Sequence, residues 1–110
     1  MQLSSNLDRA WAAGLFEGEG WITDRDKNGV QIGLGMTDRD VVERFSRIAG
    51  YGNIRVKIDG RNGTRKTMYV WEAKKSNEVM RILLFMMPFL GTRRLTRTML
   101  ALQRLERVHV

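Results

Sequence analysis

The chain has 110 residues, 43% of them hydrophobic and 28% charged, which is the composition of one folded domain and not of a disordered chain. It contains no cysteine, so disulfides and thiolate metal sites are excluded, and its longest apolar stretch, at residues 82–90, is too short to cross a membrane. The formal net charge of +7, with a net −2 over residues 1–23, favours a polyanionic partner and an acidic centre over a merely solubilising surface charge.

A helix is predicted over residues 4–16, SSNLDRAWAAGLF, capped by Ser5 or Asn6 and ending where the glycines begin. No apolar core of a signal peptide precedes it, so we expect an intracellular protein, in the cytoplasm, an organelle or a nucleoid, without a membrane partner. Gly14, Gly18 and Gly20 surround two carboxylates, although each glycine weakens a helix by up to about 1 kcal/mol relative to alanine. This pattern predicts a site that needs backbone without side chains.

A β-hairpin is predicted over residues 20–36, with Asn28-Gly29 as its turn. Its second strand, VQIGLGM, alternates between an apolar side and a side that carries Gln31 and two glycines. Because Gly33 and Gly35 leave that outer side without side chains, we expect base reading there to be poor or to come from neighbouring positions.

A helix over residues 38–50, capped by Thr37 or Asp38, leads into a second predicted hairpin over residues 53–74. In the first strand of this hairpin, the residues predicted to point inward are Ile54, Val56 and Ile58. Two more helices follow, at residues 76–86 and 92–108. The last one is predicted to bury the side that carries Leu95, Met99, Leu102 and Leu105.

This order predicts a single α+β domain over residues 1–110, in which helices cover one face of a four-stranded antiparallel sheet. The uncovered face is polar and basic, as an ordinary solvated sheet can also be. However, 14 of the 19 basic residues are arginine, which can bind guanine through two parallel hydrogen bonds. We therefore predict that this face binds a nucleic acid. The residues predicted to contact it are Trp21, Thr23, Arg25, Lys27, Gln31, Arg55, Lys57, Arg65, Lys66 and Met68.

The segment AAGLFEGEG, residues 12–20, resembles the LAGLIDADG signature of homing endonucleases. The signature's small, apolar and acidic positions are matched by Ala13, Gly14, Leu15, Glu17, Glu19 and Gly20. Residues 69–71 and 87–94 resemble further segments of the family, and the element order matches its α-β-β-α-β-β-α core, so the resemblance covers nearly the whole chain. Trp21 departs from the family's usual small polar residue, and its indole can either restrict the approach of DNA or stack on it.

The resemblance implies that two copies of the chain pair through their first helices, because one motif is present and not two. Small residues let two such helices approach closely, and Glu17 falls at a position that caps and stabilises the helix pair. The implied dimer interface consists of Ala10, Ala13, Gly14, Glu17 and Gly18.

The resemblance also implies a catalytic role for Glu19, whose carboxylate would bind Mg²⁺ or Mn²⁺ together with the backbone carbonyl of Gly18. Arg93 matches a basic residue that stabilises the phosphoanion, and Asp38 matches a polar residue that orients water. Plainer alternatives exist for each. The glutamates can be solvated residues at a helix end, Arg93 a phosphate-contacting or solvated residue, and Asp38 a helix N-cap.

The implied function is that of a homing endonuclease, often encoded in an intron, which hydrolyses one phosphodiester in each strand of a pseudo-palindromic DNA site. An alternative with the same fold is a cleavage-inactive nucleic-acid-binding protein, either a transcription regulator or an intron maturase. A structural or RNA-packaging role has only the charge in its favour.

Overall fold

The computed structural model describes residues 5–59 and 66–109, and its elements follow the predicted order. Helix α1 comprises Asn6–Glu19, α2 Arg39–Ala49, α3 Ser76–Met86 and α4 Thr92–His109. Strand β1 comprises Gly20–Asp24, β2 Val30–Met36, β3 Asn53–Asp59 and β4 Lys66–Ala73. Short 3₁₀ turns lie at Asp26–Asn28 and Met87–Phe89. None of the described helices is both long and apolar enough to span a membrane.

The four strands form one antiparallel sheet in the order β1-β2-β4-β3. Strand β2 pairs with β4, with Leu34 opposite Trp71, so the second strand of each hairpin lies at the centre of the sheet. The helices pack against one face and enclose a continuous core with it. The predicted α+β fold class, with a four-stranded antiparallel sheet covered on one face, is confirmed. We call the opposite face, which no helix covers, the outer face.

Three aromatic side chains join the helices to the sheet. The rings of Phe16 on α1 and Phe45 on α2 stack with 6.5 Å between centroids, and Phe45 meets Trp71 on β4 edge-on at 4.8 Å. All three side chains are fully buried. Because full burial of one such ring contributes about 1.5–3 kcal/mol, this cluster holds α1 firmly against the sheet.

Helix α1 includes Gly14 and runs past its predicted end at residue 16, through Gly18 to Glu19. Its start is capped by Ser5, as predicted, since the hydroxyl oxygen accepts a first-turn backbone N–H at 3.1 Å. The glycines do not end the helix because its opposite side is buried around Phe16, and this packing outweighs their weak helix propensity. The helix ends before Gly20, where an added β-carbon would collide with the Phe16 ring.

Strand β3 is far more exposed than its sequence predicts. Ile54, Val56 and Ile58 lie on the same side of the sheet as the buried Trp71 of β4, yet they are 36%, 61% and 64% exposed. The reason is that β3 is the edge strand, and the helices leave its apolar side chains uncovered. Conversely, Val70 on β4 points to the outer face but is only 5% exposed.

The side of helix α4 that faces the interior differs from the side that was predicted to be buried. Met99 is 52% exposed, while Thr98, Ala101 and Leu105 face the interior. Arg97 on the same helix donates from Nη2 to the backbone carbonyl of Ile22 on β1 at 2.8 Å, which is consistent with this orientation of the helix. The prediction that Met99 is buried was therefore wrong.

Candidate nucleic-acid interface and acidic site

Two carboxylates occupy the last turn of α1 and have different surroundings. Glu19, the final residue of the helix, is exposed, and no hydrogen bond or ion pair joins it to any described residue. Because β1 begins at the next residue, this carboxylate lies at the margin of the sheet. Glu17 is instead directed toward the start of α4 in its own chain.

The exposed carboxylate of Glu19 fits the chemistry of a hard divalent cation, which prefers oxygen ligands. Across residues 5–59 and 66–109, no three histidine or carboxylate side chains come together around a possible metal position. At this helix end the exposed Glu19 carboxylate supplies oxygen donors of the kind that fit such an ion.

Glu17 joins the end of α1 to the start of α4. Its Oε1 accepts the backbone N–H of Gly91, the residue before α4, at 2.9 Å. Arg94 Nε lies 3.3 Å from the backbone carbonyl oxygen of Glu17 and 4.0 Å from its Oε2. The guanidinium of Arg94 also lies 5.8 Å from the centroid of the Phe16 ring. These contacts engage Glu17 within one chain and join the end of α1 to the start of α4.

Glu17→Ala is expected to lower the free energy of unfolding by about 1–3 kcal/mol, because the Gly91 N–H loses its acceptor and the Arg94 guanidinium loses its ion pair with the carboxylate. Urea denaturation of the variant and the wild type measures this difference. Glu106→Ala, which removes an exposed carboxylate from α4, is the matched control and should change stability by less than about 0.5 kcal/mol. Equal stability of the Glu17 variant and the wild type would contradict the structural role of this contact.

Small residues form an exposed stripe along α1. Ala10, Gly14 and Gly18 recur at four-residue spacing on the solvent side, and Leu7 at its start is 84% exposed. A β-carbon built on Gly14 or Gly18 meets no atom within 4 Å. Packing within the chain therefore gives no reason for glycine at these two positions. Ala13, which was predicted in the same interface, is fully buried in the chain's own core and does not belong to the stripe.

The outer face carries most of the residues predicted to contact DNA. Arg55 and Lys57 on β3, Met68 on β4 and Trp21 on β1 line one concavity there. Other predicted contacts are exposed or half-buried: Thr23, Lys27, Gln31 and Lys66. Arg65 lies outside the described residues.

Some of the arginines stabilise the fold through hydrogen bonds to backbone carbonyls. Arg9 donates to the backbone carbonyl of Phe85 from Nε at 3.2 Å and from Nη2 at 3.0 Å. Arg25, a predicted DNA contact, donates from Nη2 to the backbone carbonyl of Asn28 at 3.0 Å and so holds the turn of the first hairpin. Such arginines are weaker candidates for DNA contact than the exposed cations of the sheet.

Arg55 is held in place by Glu72, a residue that the sequence analysis left without a role. Arg55 Nε and Nη2 lie 2.9 Å and 2.8 Å from Glu72 Oε1, across the β3–β4 pair. The Glu72 side chain is 12% exposed and that of Arg55 58%, so the carboxylate lies beneath the guanidinium. Strand alternation already placed both side chains on the outer face, but their pairing depends on the register.

Trp21 covers the glycine opposite it in the sheet. Trp21 and Gly33 are partners in the β1–β2 pair, and a β-carbon on Gly33 would lie 2.5 Å from Cζ2 of the indole. The absence of a side chain at Gly33 therefore gives space to the indole. The neighbouring strand β1 thus supplies the side chain that covers this part of the outer face, which Gly33 leaves without a side chain of its own.

Arg93 and Asp38, the other predicted catalytic residues, are both exposed. Arg93 lies in the first turn of α4, and its neighbour Arg94 makes the contact with Glu17 that the sequence analysis missed. Asp38 stands at the N-cap position of α2, but its side chain makes no capping hydrogen bond. Its carboxylate oxygens are therefore not engaged in the capping role that the plainer alternative gave them.

Both the sequence and the fold are similar to those of known proteins. The sequence model of the LAGLIDADG-like domain matches residues 6–106. Among solved structures, the homing endonuclease I-CvuI in complex with its target has a TM-score of 0.71 at 20% identity, covering 91% of this chain and 66% of that chain. The homing endonuclease I-TnaI has a TM-score of 0.71 at 17% identity, covering 99% of this chain and 76% of that chain.

A further similar structure is the group I intron-encoded homing endonuclease I-CeuI complexed with DNA, with a TM-score of 0.72 at 15% identity. The match covers 99% of this chain and 59% of that chain. The chain thus spans just under two thirds of I-CvuI and a smaller share of I-CeuI. At these identities the likeness is one of fold.

Proposed function

The chain belongs to the family of LAGLIDADG-like domains, and on that basis we propose that two copies of it bind double-stranded DNA and hydrolyse one phosphodiester bond in each strand. The observation that supports this most directly is the end of α1. There the exposed carboxylate of Glu19 follows a helix side that Gly14 and Gly18 leave open. Two helices packed along those open sides would place two such carboxylates next to each other.

In the proposed dimer, the stripe of Ala10, Gly14 and Gly18 forms the contact, with Leu7 at its end. The pair is two-fold symmetric, so the target is a pseudo-palindrome and each outer face lies along one half-site. Solved structures of I-CvuI and I-CeuI are complexes with DNA, which supports DNA as the partner. On this proposal the protein acts inside the cell, where DNA is found.

For the chemistry, Glu19 and the backbone carbonyl of Gly18 would hold Mg²⁺ or Mn²⁺. The bound cation would supply an acidified water and charge neutralisation at the scissile phosphate. The residues of the chain have separate tasks. The outer face holds the duplex in register, Asp38 orients the attacking water through its carboxylate oxygens, and Arg93 donates hydrogen bonds to the phosphate oxygens.

Incubation of the protein with a plasmid library of randomised sites in Mg²⁺ tests the proposal. Sequence-specific double-strand breaks are expected. Selective binding without breaks would instead identify the alternative, a cleavage-inactive nucleic-acid-binding protein. Neither breaks nor selective binding would exclude both.

Arg55→Ala is expected to cost about 1–3 kcal/mol of binding free energy and to relax specificity at one position of each half-site, as for an arginine that reads a base. Lys57→Ala is expected to relax a neighbouring position. Lys66→Ala should instead weaken binding to all sequences alike and reduce the salt slope by about one unit, as for a phosphate contact. Binding across a randomised half-site at several salt concentrations separates these outcomes. If neither β3 variant changes the sequence preference or the salt slope, the outer face does not read DNA.

A further inference from the structure

The outer face contains a concavity of about 410 Å³, which we call the notch. Its lining combines aromatic, aliphatic and cationic side chains with one glycine: Trp21, Gly35, Arg55, Lys57, Met68 and Val70. The notch lies in the middle of the face that is proposed to follow the DNA major groove. Its chemistry therefore bears on which base edges it can accept.

The floor of the notch is apolar. A β-carbon built on Gly35 would lie 3.3 Å from Val70 Cγ2 and 3.6 Å from Met68 Cε, so two methyl groups flank the bare backbone of Gly35. Val70 is 5% exposed although it points to the outer face, and Met68 is half-buried. The indole of Trp21, which covers Gly33, forms one wall. Such a floor offers no hydrogen-bond partner to a phosphate or to a polar base edge.

The rim of the notch is cationic. Arg55 and Lys57 stand on it, and Glu72 holds Arg55 by Nε and Nη2, which leaves the edge formed by Nη1 and Nη2 open toward solvent. Cations at this position favour a polyanion above the notch. An apolar protein segment would gain nothing from them, so the charge favours DNA as the occupant.

We propose that the notch is a subsite for thymine, whose 5-methyl group packs on the floor formed by Gly35, Met68 and Val70. Among the four ordinary bases, thymine alone presents an apolar group on the major-groove edge. The cationic rim binds the neighbouring DNA backbone or base edges. The thymine methyl group meanwhile passes from water onto the apolar floor. This inference rests on the proposed function, because it requires the outer face to lie in the major groove.

The test changes the DNA and leaves the protein intact. Duplexes that bind the wild-type chain are enriched from a pool randomised over the half-site, in buffer without divalent cations. Each thymine of an enriched duplex is then replaced by deoxyuridine, which removes only the 5-methyl group. We expect one thymine in each half-site at which this replacement weakens binding about fourfold, the effect of one buried methyl group.

Met68→Gln replaces the floor methyl group by a polar side chain of similar length, and should abolish the difference between thymine and deoxyuridine at that position. Met99→Gln changes an exposed methionine on α4 and is the matched control, so it should keep the difference. Selective DNA binding without any deoxyuridine-sensitive position, or a sensitive position that Met68→Gln does not affect, would overturn the subsite but not the proposed function. Absence of selective DNA binding would overturn both.

Discussion

Glu19→Gln is expected to abolish DNA cleavage while leaving DNA binding largely intact. The amide keeps the size of the side chain but loses the negative charge that a divalent cation requires. Loss of even an outer-shell partner of a metal site can cost up to about a hundredfold in activity, so a lost ligand should cost at least that much. Cleavage rates in Mg²⁺ and binding without divalent cations, measured on the same duplex, give the two readouts.

The control for this variant lies two residues away. Glu17→Gln makes the same chemical change on the same helix turn, but at a carboxylate that is bound to Gly91 and Arg94. We expect it to lower stability and to retain most of the cleavage rate per folded molecule. A Glu19→Gln variant that cleaves at near wild-type rate would refute the assignment of Glu19, whatever the control shows.

Gly14→Leu is expected to prevent dimerisation and, with it, double-strand cleavage. A leucine side chain on the exposed stripe would separate two helices that must approach closely, and the two Glu19 carboxylates would no longer meet. Among the described residues of one chain, a β-carbon at this position meets no atom within 4 Å, and leucine is a better helix former than glycine. The stability of the single chain should therefore stay the same or rise by up to about 1 kcal/mol.

This opposite effect on folding and assembly makes the experiment selective. Analytical ultracentrifugation measures the association state, and urea denaturation measures the folding of the same sample. Gln103→Leu introduces a leucine at an exposed position of α4 and is expected to leave the dimer unchanged. A wild-type chain that stays monomeric at micromolar concentration, even with DNA, would refute the pairing. So would a Gly14→Leu variant that dimerises like the wild type.

Local patterns in the sequence were sufficient to predict the order of the helices and strands and the fold class. Apolar and polar residues alternate along each predicted strand, and glycine or asparagine marks the first turn, so both hairpins could be predicted from neighbouring residues. Strand alternation also placed Arg55, Lys57 and Met68 on the outer face, where the structure has them. The acidic residues at the end of α1 were predicted from a motif of nine consecutive residues, which is also a local pattern.

Along the strands, the order of residues in the chain was enough to predict which of them share a face. Which of those faces are covered, and which polar groups are engaged, depends on how distant segments pack together. Ile54, Val56 and Ile58 have an inward pattern, but β3 lies at the sheet edge, where no helix covers them. Strand order arises from contacts between distant segments, and no local pattern encodes it.

Contacts between distant segments also give different surroundings to the glycines of the motif, and to its two glutamates. A β-carbon at Gly20 would collide with the Phe16 ring, whereas one at Gly14 meets no atom of the described residues within 4 Å, and only the packed helix shows this difference. In the sequence, Glu17 and Glu19 are distinguished only by their positions in the motif. The structure distinguishes them because Gly91, 74 residues further along the chain, donates its backbone N–H to Glu17 and leaves Glu19 exposed. Burial and pairing depend on which segments meet in space, and that is decided by the packing of the whole chain.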